Sequence, residues 1–274
     1  MSREVDHIFT AQPTEDGAGV KLRRVFSSTH YPFTNPFIMM DEFGSDDASD
    51  YIAGFPAHPH KGFDTITFML NGKMTHQDST GGKGTISDME VQWMQTGRGI
   101  IHSEMPAQTE GKMRGMQIWL NVPKTKKVAE PAYHGFKARE TVTENGNTLH
   151  VIGGDYNGTE TELRPPATDP HIYYLIFNDA MGDHFIFEES RTVLIYLLKG
   201  QAKIGNMILK EGQVAALDHT SDLVMMNAEL GSEAMILSAL PIDEPMIQYG
   251  PFVMNERHEI NDAITAYQNG TFLD

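Results

Sequence analysis

TITFMLNGKM (65–74) and TVLIYLLKGQA (192–202) carry one plan twice: an apolar run, a glycine at Gly72 or Gly200, and the start of a return segment. Further on, EVQWM (90–94) and GQVAAL (212–217) repeat in the same order. One strand–turn–strand plan met twice implies two similar bodies. Thr192–Leu198 is apolar throughout, as expected of a strand covered on both faces. Met116, Ile118, Leu120 and Val122 alternate with Gln117, Trp119 and Asn121, the period of a half-buried strand. Ile172–Phe177, Gln201–Leu209 and Ala234–Ala239 read as further strands. Glycines (25) and prolines (14) divide the segments densely, so the expected class is all-β, built as two barrels. Helical spacing is clear only in Asn255–Gln268, where Ile260, Ala263, Ile264 and Tyr267 fall three or four apart. Asn255 stands at the N-cap position of this short C-terminal helix, and Gly270 follows as its stop. LRPPATDP (163–170) reads as part of the linker. The expected division is 1–140 for an N-terminal metal-binding barrel and 141–274 for a C-terminal barrel with the helix.

The 274 residues suit two domains of about 120–140 residues. Hydrophobic residues at 40% and charged residues at 21% describe a globular chain. No apolar run has the length of a membrane span. The start, MSREVDHIFTAQPTEDG, lacks the basic and apolar regions of a secretory signal, so a cytoplasmic protein is expected. With no cysteine, disulfides, thiolate metal sites and cysteine nucleophiles are excluded. A net charge of −16 repels phosphate backbones and weighs against direct nucleic-acid binding. The local exception, Lys124-Thr125-Lys126-Lys127, reads as a solvated loop.

The chemistry-bearing residues come in two pairs. In FPAHPHKGF (55–63), His58 and His60 stand at i and i+2, which on extended backbone share a face. Pro59 favours that extended backbone at His58. In GRGIIHSEMP (97–106), His102 and Glu104 have the same spacing. An HxH is common by chance; the two pairs together, framed by glycine turns, point to metal binding. Three nitrogens and one oxygen suit one divalent transition-metal ion, Fe(II), Mn, Ni, Cu or Zn, over the all-oxygen preferences of Mg and Ca. Such distant strands need a closed barrel to bring these side chains together. His76 and Asp78, in MTHQDS, could brace a ligand imidazole from behind, although an exposed hairpin is the preferred reading. Asp64 reads as a supporting or structural residue rather than a fifth donor. Trp93, Met94, Met105, Met116 and Trp119 are candidates for an apolar pocket, with core packing as the ordinary alternative. Aligning Gly72 with Gly200 sets Ile186 and Glu188 opposite His58 and His60, and the later repeated block sets His102 and Glu104 opposite roughly Met225 and Asn227. One metal per chain is therefore expected.

NPFIMMDEFG (35–44), FPAHPHKGFDTITFMLNGKMTHQDSTG (55–81), VQWMQTGRGIIHSEMP (91–106), MQIWLNVP (116–123) and GPFVMN (250–255) resemble the pirins. These are two-barrel proteins of the cupin superfamily. The resemblance implies an all-β bicupin with a short C-terminal helix, in which terminal segments cross between barrels. It places metal ligands on His58, His60, His102 and Glu104, with iron, most often Fe(II), as the metal. Lys61 and Asp64 stand where pirins commonly have Arg and Glu. Several pirins resemble quercetin 2,3-dioxygenases, which open a flavonol ring with O₂. For this chain the implied function is such a dioxygenase, with Glu104 as the catalytic base taking the flavonol hydroxyl proton. The alternatives are an iron-containing, redox-sensitive regulator that binds a protein partner, or another metal-dependent reaction on a small oxygenated molecule.

Overall fold

The computed structural model describes residues 2–178 and 182–274. In chain order its strands begin with β1 (Val5–Thr10), β2 (Gln12–Asp16), β3 (Val20–Phe26) and β4 (Phe37–Ser45). They continue as β5 (Phe55–His60), β6 (Phe63–Asn71), β7 (Met74–Asp78) and β8 (Lys83–Ile86). Next come β9 (Glu90–Gln95), β10 (Ile100–Pro106), β11 (Met113–Asn121) and β12 (Ala132–Lys137). The following set is β13 (Arg139–Val142), β14 (Thr148–Gly153), the short ribbon β15 (Asp155–Tyr156) and β16 (Thr159–Glu160), then β17 (His171–Ile176) and β18 (Asp183–Ile186). The series closes with β19 (Thr192–Lys199), β20 (Gln201–Ile204), β21 (Met207–Lys210), β22 (Gln213–Leu217), β23 (Leu223–Ala228), β24 (Glu233–Ala239) and the small hairpin β25 (Ile247–Tyr249) and β26 (Phe252–Met254).

Sheet order shows how far the repeat extends. One seven-stranded sheet runs β12-β9-β6-β11-β4-β3-β2 and is accompanied by a four-stranded sheet, β5-β10-β7-β8. The other runs β1-β22-β19-β24-β17-β14-β13 and is accompanied by β18-β23-β20-β21. Strand for strand the two lists correspond, with β6 and β19 in equivalent places between paired neighbours. Both are buried along almost their whole length, as strands covered on both faces must be. The exception in chain order is the edge: β12 precedes the second barrel, whereas its counterpart β1 comes from the N-terminus and pairs with β22 from Val5↔Leu217 to Thr10↔Gln213.

The compact units follow this pairing. One comprises Pro13–Arg24, Phe37–Lys137 and Ile242–Asp274; the other joins Val25–Pro36 and Ala138–Pro241 to the first twelve residues. A cut at residue 140 is thus coarser than the grouping of chain segments. In the first barrel's unit, the C-terminal helix (Arg257–Asn269) buries Ile260 and Ala263 with Phe252, Met254 and Phe272. Its N-cap is Glu256 rather than Asn255. Asn255 instead donates through Nδ2 to Glu244 Oε2 (3.1 Å) and Pro245 O (2.9 Å). Among the described residues no helix is long and apolar enough to cross a membrane.

Three other local readings are corrected. Gln201–Leu209 is two strands, not one, because Gly205 takes a positive φ of 53° and turns the chain between β20 and β21. Lys127 does not belong to a solvated loop: it is fully buried, donating from Nζ to Gly62 O (2.6 Å), Asn121 Oδ1 (2.7 Å) and Val253 O (3.2 Å). In the second barrel, Ile186 and Met225 are exposed, while Phe185, Val224 and Met226 are buried in its core cluster. The glycine alignment at β18 and the later-block alignment at β23 therefore each land one residue out of phase, and a one-residue slip exchanges the faces of a strand.

Candidate metal centre

β5 and β10 lie side by side antiparallel, with Ile100 opposite His60 and His102 opposite His58. A bulge between His102 and Glu104 shifts the register so that Glu104 faces Phe55. On its other edge β10 pairs with β7, setting Glu104 opposite His76 and His102 opposite Asp78. Alternation along β10 buries His102 and Glu104 and leaves Ser103 and Met105 more exposed. The chain leaves His60 through Gly62 at φ 86°, where a Cβ would stand 2.0 Å from Val253 O. Only glycine permits that turn and that approach.

His58, His60 and His102 each offer one ligand atom, and these atoms lie within 4.8 Å of one another. Among the described residues this is the group of three or more donors that could hold a metal ion. His58 Nδ1 lies 2.7 Å from Pro56 O; a carbonyl only accepts, so Nδ1 carries the proton and Nε2 is bare. That bare nitrogen is 3.0 Å from His102 Nε2. His60 Nδ1 is buried and has no hydrogen-bond partner. Converging imidazole nitrogens in a buried cluster form a site whose polar atoms are satisfied by a cation. Burial, reinforced by His58, holds His60 well below the usual histidine range, with a backbone contact from Pro251 opposing. Burial, then His60, His58 and His76, does the same to His102. Both rings are neutral at neutral pH, which is the form that ligates metal. The donor set therefore fits a divalent transition-metal ion.

Glu104 is brought to the same cavity but is not one of the three clustered donors. Thr67 Oγ1 donates to its Oε1 (3.2 Å) and Gln117 Nε2 to its Oε2 (2.9 Å). Gln117 is itself fixed by Trp119 Nε1, which donates to Gln117 Oε1 at 3.3 Å. Each carboxylate oxygen retains a further lone pair. The cavity measures about 580 Å³ and is walled on its apolar side by Leu22, Met39, Phe43, Phe55 and Trp119. Arg24, also in the cavity lining, grips Asp41 with two hydrogen bonds, 3.0 and 2.9 Å, and reaches Asp16 at 3.1 Å.

The reading of His76 and Asp78 as an exposed hairpin is overturned. Their side chains are 1% and 0% exposed, and His76 Nε2 lies 2.8 Å from Asp78 Oδ2. Behind the cluster, His76 Nδ1 is 3.0 Å from Gln92 Nε2 and 3.4 Å from His102 Nδ1. Asp64 accepts from Trp93 Nε1 at 2.8 Å and is pushed up to about 7 by burial. Of the aromatic and methionine candidates, Trp119 lines the cavity, Met105 is exposed, and Trp93, Met94 and Met116 are core. Thr67 and Gln117, which bond Glu104, and Gln92, which bonds His76, are polar neighbours that the motif reading missed. Their signal was a polar residue inside otherwise apolar strands.

The family model for Pirin matches residues 19–120, and that for the Pirin C-terminal cupin domain matches residues 178–273. The chain is 38% identical over 277 residues to a pirin-like protein of Caulobacter vibrioides, covering 98% of this chain and 99% of that one. It is 36% identical over 278 residues to a Pseudomonas aeruginosa protein provisionally named a quercetin 2,3-dioxygenase, covering 98% and 97%. A crystal structure of quercetin 2,3-dioxygenase from Acinetobacter baumannii aligns with a TM-score of 0.91 and 27% identity, covering 100% of this chain and 99% of that one.

Proposed function

The chain belongs to the pirin family of two-barrel cupins, and from that premise we propose that it is an iron-dependent dioxygenase of the quercetin 2,3-dioxygenase type, opening a flavonol with O₂. The observation that carries the reading is one cavity combining three convergent imidazoles, a carboxylate and an aromatic wall. His58, His60 and His102 would hold the ion, with Glu104 beside them. When bound, such an ion supplies Lewis-acid polarisation of a substrate oxygen and a redox couple suited to O₂.

The remaining work falls to the chain's own side chains. A cavity of about 580 Å³ is within the range that accepts a planar, multi-ring molecule. Trp119 packs on Phe63 with ring centroids 4.3 Å apart and stands edge-on to His60 at 5.2 Å, giving the wall a fixed orientation. A flavonol lying against it would present its hydroxyl to Glu104. Thr67 and Gln117 hold that carboxylate in place while leaving it lone pairs to take the proton. The apolar wall excludes water from the reacting face.

The test is to load metal-free protein with Fe(II) under anaerobic conditions, add quercetin and air, and follow O₂ uptake, flavonol absorbance and carbon monoxide. Turnover that requires metal and is lost in Glu104→Gln supports the reading. Protein shown to contain one iron that leaves quercetin intact would refute the flavonol assignment.

A further inference from the structure

Asp78 lies behind the metal cluster and outside the residues that line the cavity, and its hydrogen bonds determine which nitrogen of His76 is bare. Its Oδ1 takes three donors: Thr80 N (2.8 Å), Thr80 Oγ1 (2.6 Å) and Gly82 N (3.0 Å). Its Oδ2 is left for His76 Nε2 at 2.8 Å, and a carboxylate can only accept. His76 therefore carries its proton on Nε2 and presents a bare Nδ1. Gln92 Nε2 donates to that atom at 3.0 Å, and His102 Nδ1 approaches it at 3.4 Å. His102 Nε2 also stands 3.0 Å from the bare His58 Nε2, a contact that needs one proton; when a cation takes both of those lone pairs, the His102 proton belongs on Nδ1, where the bare His76 Nδ1 accepts it. Tyr133 stacks on the His76 ring at 4.7 Å and 20°, which fixes its plane.

We propose that Asp78 and His76 form a tautomer relay that turns the lone pair of His102 Nε2 toward the metal site. Asp78 is a positioning residue. The inference rests on the metal-centre reading above, but the state of His76 can be measured without any metal.

Asp78→Asn should reverse the relay. Thr80 and Gly82 keep the asparagine oxygen at the Oδ1 position, which turns its NH₂ toward His76 Nε2. Two donors cannot face each other, so His76 moves its proton to Nδ1. Gln92 can follow, because its Oε1 has no partner and can rotate in to accept. His102 Nδ1 then meets an N–H and becomes an acceptor. Its proton goes to Nε2, where the ion would bind.

The experiment uses full-length protein labelled with ¹⁵N-histidine, with His76→Phe assigning the His76 signals. Imidazole ¹⁵N spectra read the tautomer, and competition against a chelator reads Zn(II) affinity. The expected result is Nε2–H on His76 in the wild type and Nδ1–H in Asp78→Asn. Zn(II) affinity falls about 10–100-fold in Asp78→Asn and in His76→Phe, which keeps the stacked ring and removes the relay. Wild-type Zn(II) affinity in both variants, or Nδ1–H on His76 in the wild type, overturns the relay. If the wild type binds no Zn(II), the metal reading fails, and the two tautomers still decide the relay.

Discussion

Replacing His60 by leucine should stabilise the metal-free protein while abolishing its response to metal. His60 is 3% exposed and its Nδ1 has no partner. A buried polar atom without a hydrogen bond costs about 1–3 kcal/mol. Leucine removes that cost at similar volume but forgoes the ring's contact with the Pro251 backbone, worth about 1 kcal/mol. The net expectation at pH 7.5 is a gain of about 1 kcal/mol. Acidification should enlarge it. The buried ring stays neutral in the folded state, because its pKa lies well below 6.5, whereas the unfolded chain protonates as pH falls through that value. The unfolded state then binds more protons, so wild-type stability falls with pH by about 1.4 kcal/mol between pH 7.5 and 5.5, a loss the variant escapes. Urea midpoints after chelation provide the assay. Both tryptophans, Trp93 and Trp119, lie in this unit, so fluorescence reports its unfolding selectively. Zn(II) at 100-fold above its dissociation constant should then add about 2.7 kcal/mol to the wild type alone and reverse the order. A difference that stays flat or shrinks between pH 7.5 and 5.5 would refute the buried-neutral assignment, and a Zn(II)-stabilised leucine variant would remove His60 from the ligand set.

Lys127→Met leaves the oxygens of Gly62, Asn121 and Val253 without their donor, and the urea midpoint should report a loss of about 2 kcal/mol at pH 7. Burial pushes Lys127 down to about 8, so above pH 8 the unfolded state holds more protons and the wild type gains stability; the gap should widen toward pH 10, and a narrowing gap would contradict it. Gln117→Leu removes the donor to Glu104 Oε2, and quercetin turnover should fall about tenfold while Zn(II) affinity stays within about threefold. Equal losses in both would mean that Gln117 supports the ions' site rather than the base. Trp119→Ala, which empties part of the cavity wall, should cost about 3 kcal/mol and raise KM for quercetin more than it lowers kcat. An unchanged KM would place the flavonol elsewhere.

What could be read from the sequence was whatever depends on short-range periodicity. The repeat around Gly72 and Gly200 marks β6 and β19, and the two sheets built on them correspond strand for strand. The i, i+2 pairs fall on β5 and β10, which pair directly and bring three of the four expected ligands together. What depends on burial could not be read. A lysine three residues along a basic run looks solvated, and nothing local announces that three oxygens wait for Lys127. His76 and Asp78 also look like any polar hairpin until β7 is seen pairing with β10. The second-barrel phase error has a related origin, since aligning a turn or a short block does not fix the register of strands further along the chain, where β10 for one carries a bulge between His102 and Glu104.

The polar half of each alternation explains why the site was easier to find than its supports. On β11, Met116, Ile118 and Leu120 are completely buried, yet Trp119 at 7% exposure and Asn121 at 1% are hardly less so. The face that looks solvent-directed by composition carries Gln117 and Trp119 into the cavity. On β6, Thr67 reaches Glu104, and on β9, Gln92 reaches His76, from the same kind of position. In a closed barrel an interior that must hold ionisable side chains cannot be apolar, because each buried donor and acceptor needs a partner. Amphipathic strands thus serve two buried faces here, one closing the core and one wiring the centre. The second barrel keeps the strand order but buries Phe185, Phe187 and Tyr173 in its core, where the Tyr173 hydroxyl, bonded to His171 Nδ1 and Asp155 O, is a polar atom with partners of its own. The distinction between the two barrels therefore rests on a few interior positions, which a change of one or two side chains tests more sharply than any change to the scaffold.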